Sequence, residues 1–107
     1  MKISPSIEDY LENIYKLEEK EGVARTKDLA DKMHVGLGTI TNTVEMFERQ
    51  GLVAHRPYKG IKLTRGGRKI ALDVIRRHRL AERLLTDILK VDWSKAHELA
   101  CKLEHSL

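Results

Sequence analysis

The chain of 107 residues has one cysteine, Cys101, and so cannot form an internal disulfide. That excludes a disulfide-stapled secreted scaffold, points to the cytoplasm, and leaves the thiol free for metal or redox chemistry. No apolar run approaches the ~20 residues that a membrane-spanning helix requires, so no membrane partner is expected. The start, Met1-Lys2-Ile3-Ser4-Pro5, lacks the apolar core of a signal peptide. Internal repeats and low-complexity stretches are absent, which excludes solenoids and biased tails. Absent too are an HExxH element, a nucleophile paired with a base and a phosphate-binding loop, which argues against an enzyme.

What is present suits a soluble, helix-rich protein: 41% apolar and 34% charged residues, with a mean hydropathy of -0.43. The length fits one compact domain, or a small domain with an appended helical piece. The net charge of +4 is unevenly placed. Between His55 and Lys90 stand eleven Lys or Arg against three acidic residues, whereas residues 1–50 hold seven basic and ten acidic side chains. A surplus confined to one third of the chain is the footprint expected of polyanion binding, although a solvated helix face would also produce it.

Apolar spacing predicts a helix over Ser6–Lys20, capped by Ser6 and stopped by Gly22, with Ile7, Tyr10, Leu11, Ile14, Tyr15 and Leu17 inward. A short helix over Lys27–Met33 follows, capped by Thr26. His34–Gly38 reads as a tight connector whose glycines supply the unusual backbone angles. A third helix is expected over Thr39–Gln50, with Ile40, Val44 and Phe47 buried and Gly51 as its stop. Leu52–His55 and Ile61–Leu63 read as two short strands around a turn-rich tip. Thr64 should cap a long helix from Gly66 or Gly67 to about Lys90, and Ser94 a final one.

Helix, helix, tight turn, helix and hairpin is the order of a winged helix-turn-helix, so double-stranded DNA is the expected partner. In such modules the helix after the turn enters the major groove. Its first residues here offer Thr39, Thr41 and Asn42, with Gly36 and Gly38 allowing close backbone approach; Asn can bond adenine in two places. Arg56, Tyr58 and Lys59 at the hairpin tip would meet phosphates, with Lys62, Arg65, Arg68 and Lys69 behind them.

The last helix carries a second pattern. His97, Cys101, Glu104 and His105 fall on one stripe, because helical residues three, four, seven and eight apart share a face. Upstream, His78 and Glu82 stand four apart, and near the start Asp9 and Glu12 stand three apart. Imidazole, thiolate and carboxylate together suit first-row divalent cations, and added carboxylates shift the preference toward manganese. Three segments far apart in sequence thus offer ligands that one cation site could gather. The residues point to a metal-sensing DNA-binding protein. Other readings stay open: a winged-helix regulator whose ligand-like side chains only pack, a purely structural metal site, or a small metalloenzyme with Glu104 as base.

The segments Arg77-His78-Arg79-Leu80-Ala81-Glu82-Arg83-Leu84-Leu85-Thr86-Asp87 and His97-Glu98-Leu99-Ala100-Cys101-Lys102-Leu103-Glu104-His105 resemble the diphtheria toxin repressor family of iron- and manganese-dependent repressors. Ser6–Tyr15 and the helix-turn-helix are similar as well. The resemblance implies a mostly α fold with a small β-hairpin: a winged helix-turn-helix over residues 1–72, then metal-binding and dimerisation helices over 73–107, apparently incomplete. It implies a cytoplasmic homodimer that represses transcription from operator DNA, with Fe2+ or Mn2+ as corepressor and Co2+, Ni2+ or Zn2+ as possible occupants in vitro. By position, Cys101, Glu104 and His105 match one metal site, completed by Asp9 from the first helix. His78, Glu82 and His97 match a second, ancillary site. Asp9 and Glu12 are the manganese-type choices and Cys101 the iron-type choice, so the chain is a hybrid, and Glu12 with His78 could instead serve a manganese-like paired site.

Overall fold

The structure, a computed structural model, describes residues 5–56, 59–88 and 92–105. The chain divides into two compact units, Met1–Ala71 and Leu72–Leu107.

The first unit holds α1 (Pro5–Glu21), α2 (Thr26–Met33), α3 (Leu37–Arg49), a hairpin of β1 (Val53–Arg56) and β2 (Gly60–Leu63), and the start of α4 (Arg65–Arg83). Helix α1 begins at Pro5, one residue ahead of the expected cap Ser6, at a position whose amide would lack an intrahelical acceptor in any case. It buries Leu11 and Ile14 completely and sets Tyr10 edge-on to Phe47 of α3, with ring centroids 5.7 Å apart. Gly22, at φ 86, ends it and donates its N–H to the Glu18 carbonyl at 2.7 Å.

Thr26 does not cap α2. It lies inside the helix, and Arg25 precedes it without a side-chain bond to the first turn. The connector to α3 also departs from expectation. The left-handed residue there is His34, at φ 57, and not a glycine. His34 donates its N–H to Asp31 O at 3.4 Å and Val35 to Ala30 O at 3.1 Å, the reverse pairing that closes a helix around a left-handed residue. With the turn made at His34, α3 starts at Leu37, two residues earlier than predicted, and Gly36 precedes it in extended conformation. Ile40, Val44 and Phe47 are buried as expected.

The hairpin is antiparallel, with Val53 opposite Leu63 and Arg56 opposite Gly60. Val53, Ile61 and Leu63 face the core, and Ala54, Arg56 and Lys62 face outward. Ala24 adds a bridge to Ile61 through two backbone bonds of 2.9 and 2.7 Å, so the segment after α1 is stitched to the wing. Thr64 caps α4 as predicted: its hydroxyl accepts the Gly67 N–H at 3.1 Å while donating to Gly51 O at 2.6 Å. Arg68 is engaged within the first unit. It pairs with Glu18 at 2.7 Å and lies over the Tyr15 ring, and Glu18 also accepts the Leu63 N–H at 3.1 Å.

The second unit contains the rest of α4, a π-helical turn over Leu84–Ile88 and α5 (Trp93–Leu103). The expected single helix to Lys90 is regular only to Arg83. The wider turn follows, with the Thr86 hydroxyl donating to the Glu82 carbonyl at 2.8 Å. Helix α5 is preceded by Asp92, so Ser94, the expected cap, lies within it. The core of this unit is Ala81, Leu85, Ala96 and Ala100, with Leu103 against it. Leu80 and Leu84 are exposed.

Candidate metal centre and nucleic-acid interface

Residues four apart on a helix stand one above the other, so α4 presents His78 and Glu82 together and α5 presents His97 and Cys101. Alanines at 81, 96 and 100 let these two faces come close. The result is a continuous row of alternating imidazoles and carboxylates. His97 Nδ1 lies 3.0 Å from Glu82 Oε1, the same oxygen contacts His78 Nε2, His78 Nδ1 lies 2.6 Å from Glu104 Oε2, and Glu104 Oε1 lies 3.3 Å from His105 Nε2. The row runs from exposed to buried: the His97 side chain is 56% accessible, that of Glu104 only 3%.

Cys101 flanks this row. Its Sγ is 3.8 Å from His78 Nδ1 and 4.0 Å from His97 Nε2, and donor atoms of these three residues lie within 4.8 Å of one another. The resemblance implies that Cys101 shares a site with Glu104 and His105; in the structure its Sγ also lies beside the rings of His78 and His97. Glu82 contacts the ring nitrogens that point away from Cys101, which orients both rings with their other nitrogens toward the thiol. Burial pushes the Glu82 carboxyl up, but hydrogen bonds from His97 and His78, and then their charge, outweigh it and hold the group below its ordinary 4.5. Two imidazoles and a thiolate converging on one point fit a borderline first-row cation better than calcium or magnesium, which prefer oxygen.

Asp9 is half-buried on α1 of the first unit, and Glu12 is buried with an ion pair to Lys16 at 3.1 Å. Glu8, 5% exposed, is also buried, on the stripe of α1 that carries Leu11, Glu12 and Tyr15 at helical spacing.

On the nucleic-acid side, Thr39, Thr41 and Asn42 are exposed on α3, and Gly36 and Gly38 are bare. Thr43, by contrast, is half-buried. Arg56 and Lys59 are exposed on the hairpin, while Tyr58 lies outside the described residues. A cleft of about 500 Å³ beside the hairpin is lined by Arg56, Lys59 and Lys62 together with Val23, Ala54 and Leu63. The feature that sequence reasoning passed over is Leu37, exposed in the first turn of α3.

Three helices with a two-stranded wing, followed by helices whose histidines, cysteine and carboxylates converge, define a winged-helix protein with an appended metal-ligand cluster. The chain belongs to the iron-dependent repressor family: residues 2–61 match its N-terminal DNA binding domain, and residues 64–107 its metal binding and dimerisation domain. It is 44% identical over 98 residues to the diphtheria toxin repressor of Corynebacterium glutamicum, covering 92% of this chain and 43% of that protein. It is 39% identical over 98 residues to the iron-dependent repressor IdeR of Mycobacterium tuberculosis, with the same coverage of 92% and 43%. Among solved structures, a manganese-dependent transcriptional repressor in complex with manganese matches with a TM-score of 0.81 at 35% identity, over 94% of this chain and 46% of that one. The manganese regulator SloR matches with a TM-score of 0.78 at 33% identity, over 98% of this chain and 49% of that one. The chain thus spans a little under half the length of these relatives.

Proposed function

We propose that this chain is the DNA-binding and metal-binding part of a divalent-metal-dependent transcriptional repressor, with iron(II) or manganese(II) as corepressor. In this reading it is a cytoplasmic regulator and not an enzyme, and it binds operator DNA as a homodimer. The observation that carries the proposal is the convergence of His78, His97 and Cys101, backed by Glu82 and Glu104, from two helices of one unit. The set places two imidazoles and a thiol around one point, held by two carboxylates, and it leaves the cysteine exposed to oxidation.

His78, His97 and Cys101 would hold the ion, Glu82 would fix the two rings, and Glu104 and His105 would extend the donor set inward. Asp9 and Glu12 on α1 are assigned as further oxygen donors on the strength of the resemblance in sequence. A bound divalent cation would supply positive charge beside Glu82 and Glu104. Imidazole and thiol must release protons to ligate, so affinity for the ion falls in acid. DNA binding is coupled to the ion if the two are bound best by the same conformation, with a typical coupling of about 1–3 kcal/mol, or ~5–150-fold.

The test is DNA binding by chelator-stripped full chain at fixed salt, titrated with iron(II) under anaerobic conditions, manganese(II) or zinc(II). Salt is held because phosphate contacts depend on it strongly. Metal-dependent binding that is lost in the Cys101→Ala, His97→Ala double variant supports the proposal. Equal binding with and without chelator refutes it.

A further inference from the structure

Helix α3 opens with Gly36-Leu37-Gly38, and the packing of the chain accounts for none of the three. Leu37 is 56% exposed. Gly36 sits at φ -76, open to any residue, and Gly38 is not among the glycines with positive φ. A Cβ built on either meets no atom within 4 Å. The helix therefore gives up stability at Gly38, since glycine is the poorest helix former after proline. It also exposes a large apolar side chain beside that position. A lone surface leucine elsewhere would need no account. This one stands between two bare positions, on the turn that a helix-turn-helix directs at the base edges.

Its neighbours narrow the chemistry. Thr41 lies one turn on from Leu37, and its hydroxyl donates to the Leu37 carbonyl at 3.0 Å. With its proton turned back into the helix, Thr41 offers outward only a methyl group and an acceptor lone pair. Asn42 stands one turn on from Gly38, and the missing side chain there leaves its amide clear on that side. An apolar methyl-bearing stripe, Leu37 and Thr41, thus runs beside a polar one.

In the major groove, thymine alone presents a methyl group; the other three bases present only donors and acceptors, which a leucine would leave unmatched. We propose that Leu37 is a specificity-determining residue that reads the C5-methyl of thymine, with Gly36 and Gly38 providing the clearance for the helix to come that close. The inference rests on the DNA-binding reading above and names what that site recognises.

The probe is a duplex enriched by the metal-loaded full chain from a random-sequence pool, then remade with deoxyuridine replacing thymidine at one position at a time. Removal of the methyl should weaken wild-type binding about fourfold at one or two positions of the site, the worth of one buried methyl-sized group. Leu37→Ala, whose helicity should be unchanged, should bind the thymine duplex more weakly and show no discrimination between thymine and uracil at those positions. Gly38→Ala should lose affinity for the duplex while keeping its fold. Full thymine discrimination in Leu37→Ala, indifference of the wild type to every uracil, or undiminished binding by Gly38→Ala overturns the inference and leaves the DNA-binding reading standing. Failure of the metal-loaded chain to enrich any duplex sinks both.

Discussion

Gly66 and Gly67 are adjacent, occupy the same first turn of α4, and should respond oppositely to the same substitution. A Cβ on Gly67 would lie 2.1 Å from the Leu52 carbonyl oxygen and 3.0 Å from its carbon. That oxygen is backbone, held by the Thr64 N–H at 3.0 Å, so it cannot swing aside like the tip of a side chain. Relief requires α4 and the base of the hairpin to part by about 1 Å, a displacement read from the 2.1 Å approach. Overpacking of this kind costs about 1–3 kcal/mol. Loss of the Thr64 bond adds about 1 kcal/mol. The gain in helix propensity on going from Gly to Ala offsets about 1 kcal/mol. Gly67→Ala should therefore destabilise by about 1–3 kcal/mol, the resultant of those three effects. At Gly66 the nearest atoms are Thr64 Oγ1 at 3.8 Å and Gly51 O at 4.0 Å, ordinary contacts. Gly66→Ala should be neutral or stabilising by up to about 1 kcal/mol. Urea unfolding followed by circular dichroism gives both values. For a small domain the thermal midpoints should separate by at least about 5 °C. Equal midpoints would refute the argument that close approach to Leu52 fixes Gly67.

Two further outcomes are expected. His34→Gly should stabilise the first unit by about 0.5 kcal/mol, because glycine enters the left-handed region without the steric cost while losing somewhat more chain entropy on folding; a destabilised variant in thermal denaturation would contradict this. Glu82 is held below its ordinary 4.5 in the folded state, so its contribution to the stability of the metal-free protein is present above pH 4.5 and is lost as the pH falls from there through the lower folded value. Glu82→Gln should accordingly show a flatter dependence of unfolding free energy on pH below 4.5 than the wild type, and parallel curves would exclude the effect.

Much of the architecture could be read from the residues because each element carries its own signal. The apolar stripe of α1, the buried Ile40, Val44 and Phe47 of α3, the stops at Gly22 and Gly51, and the Thr64 cap all follow from periodicity and local backbone chemistry. What stayed hidden depends on contacts between elements. His34 adopts a left-handed angle because Val35 and Ala30 close the turn around it, and glycines two and four residues on were the stronger local signal for that conformation. Arg68 reads as one more surface cation until Glu18, fifty residues earlier in the chain, is set against it. In the donor cluster, the spacing on α5 was legible, but which imidazoles Cys101 faces depends on how α4 and α5 pair, and that pairing is set by alanines. Leu37 escaped notice because apolar residues are counted toward a core by default, and its exposure is a property of the fold.

Where α5 meets α4 and the turn after it, the residues between them are largely alanines, at 81, 96 and 100, all of them fully or almost fully buried. Alanine has no rotamers and nothing left to trim, so together with Leu85 and Leu103 these positions leave the backbones little freedom in how closely they approach. The gauge of the donor cluster is therefore held by residues that offer no ligand atom. A bulkier side chain at any of the three would pry His78 from Cys101 without altering one donor.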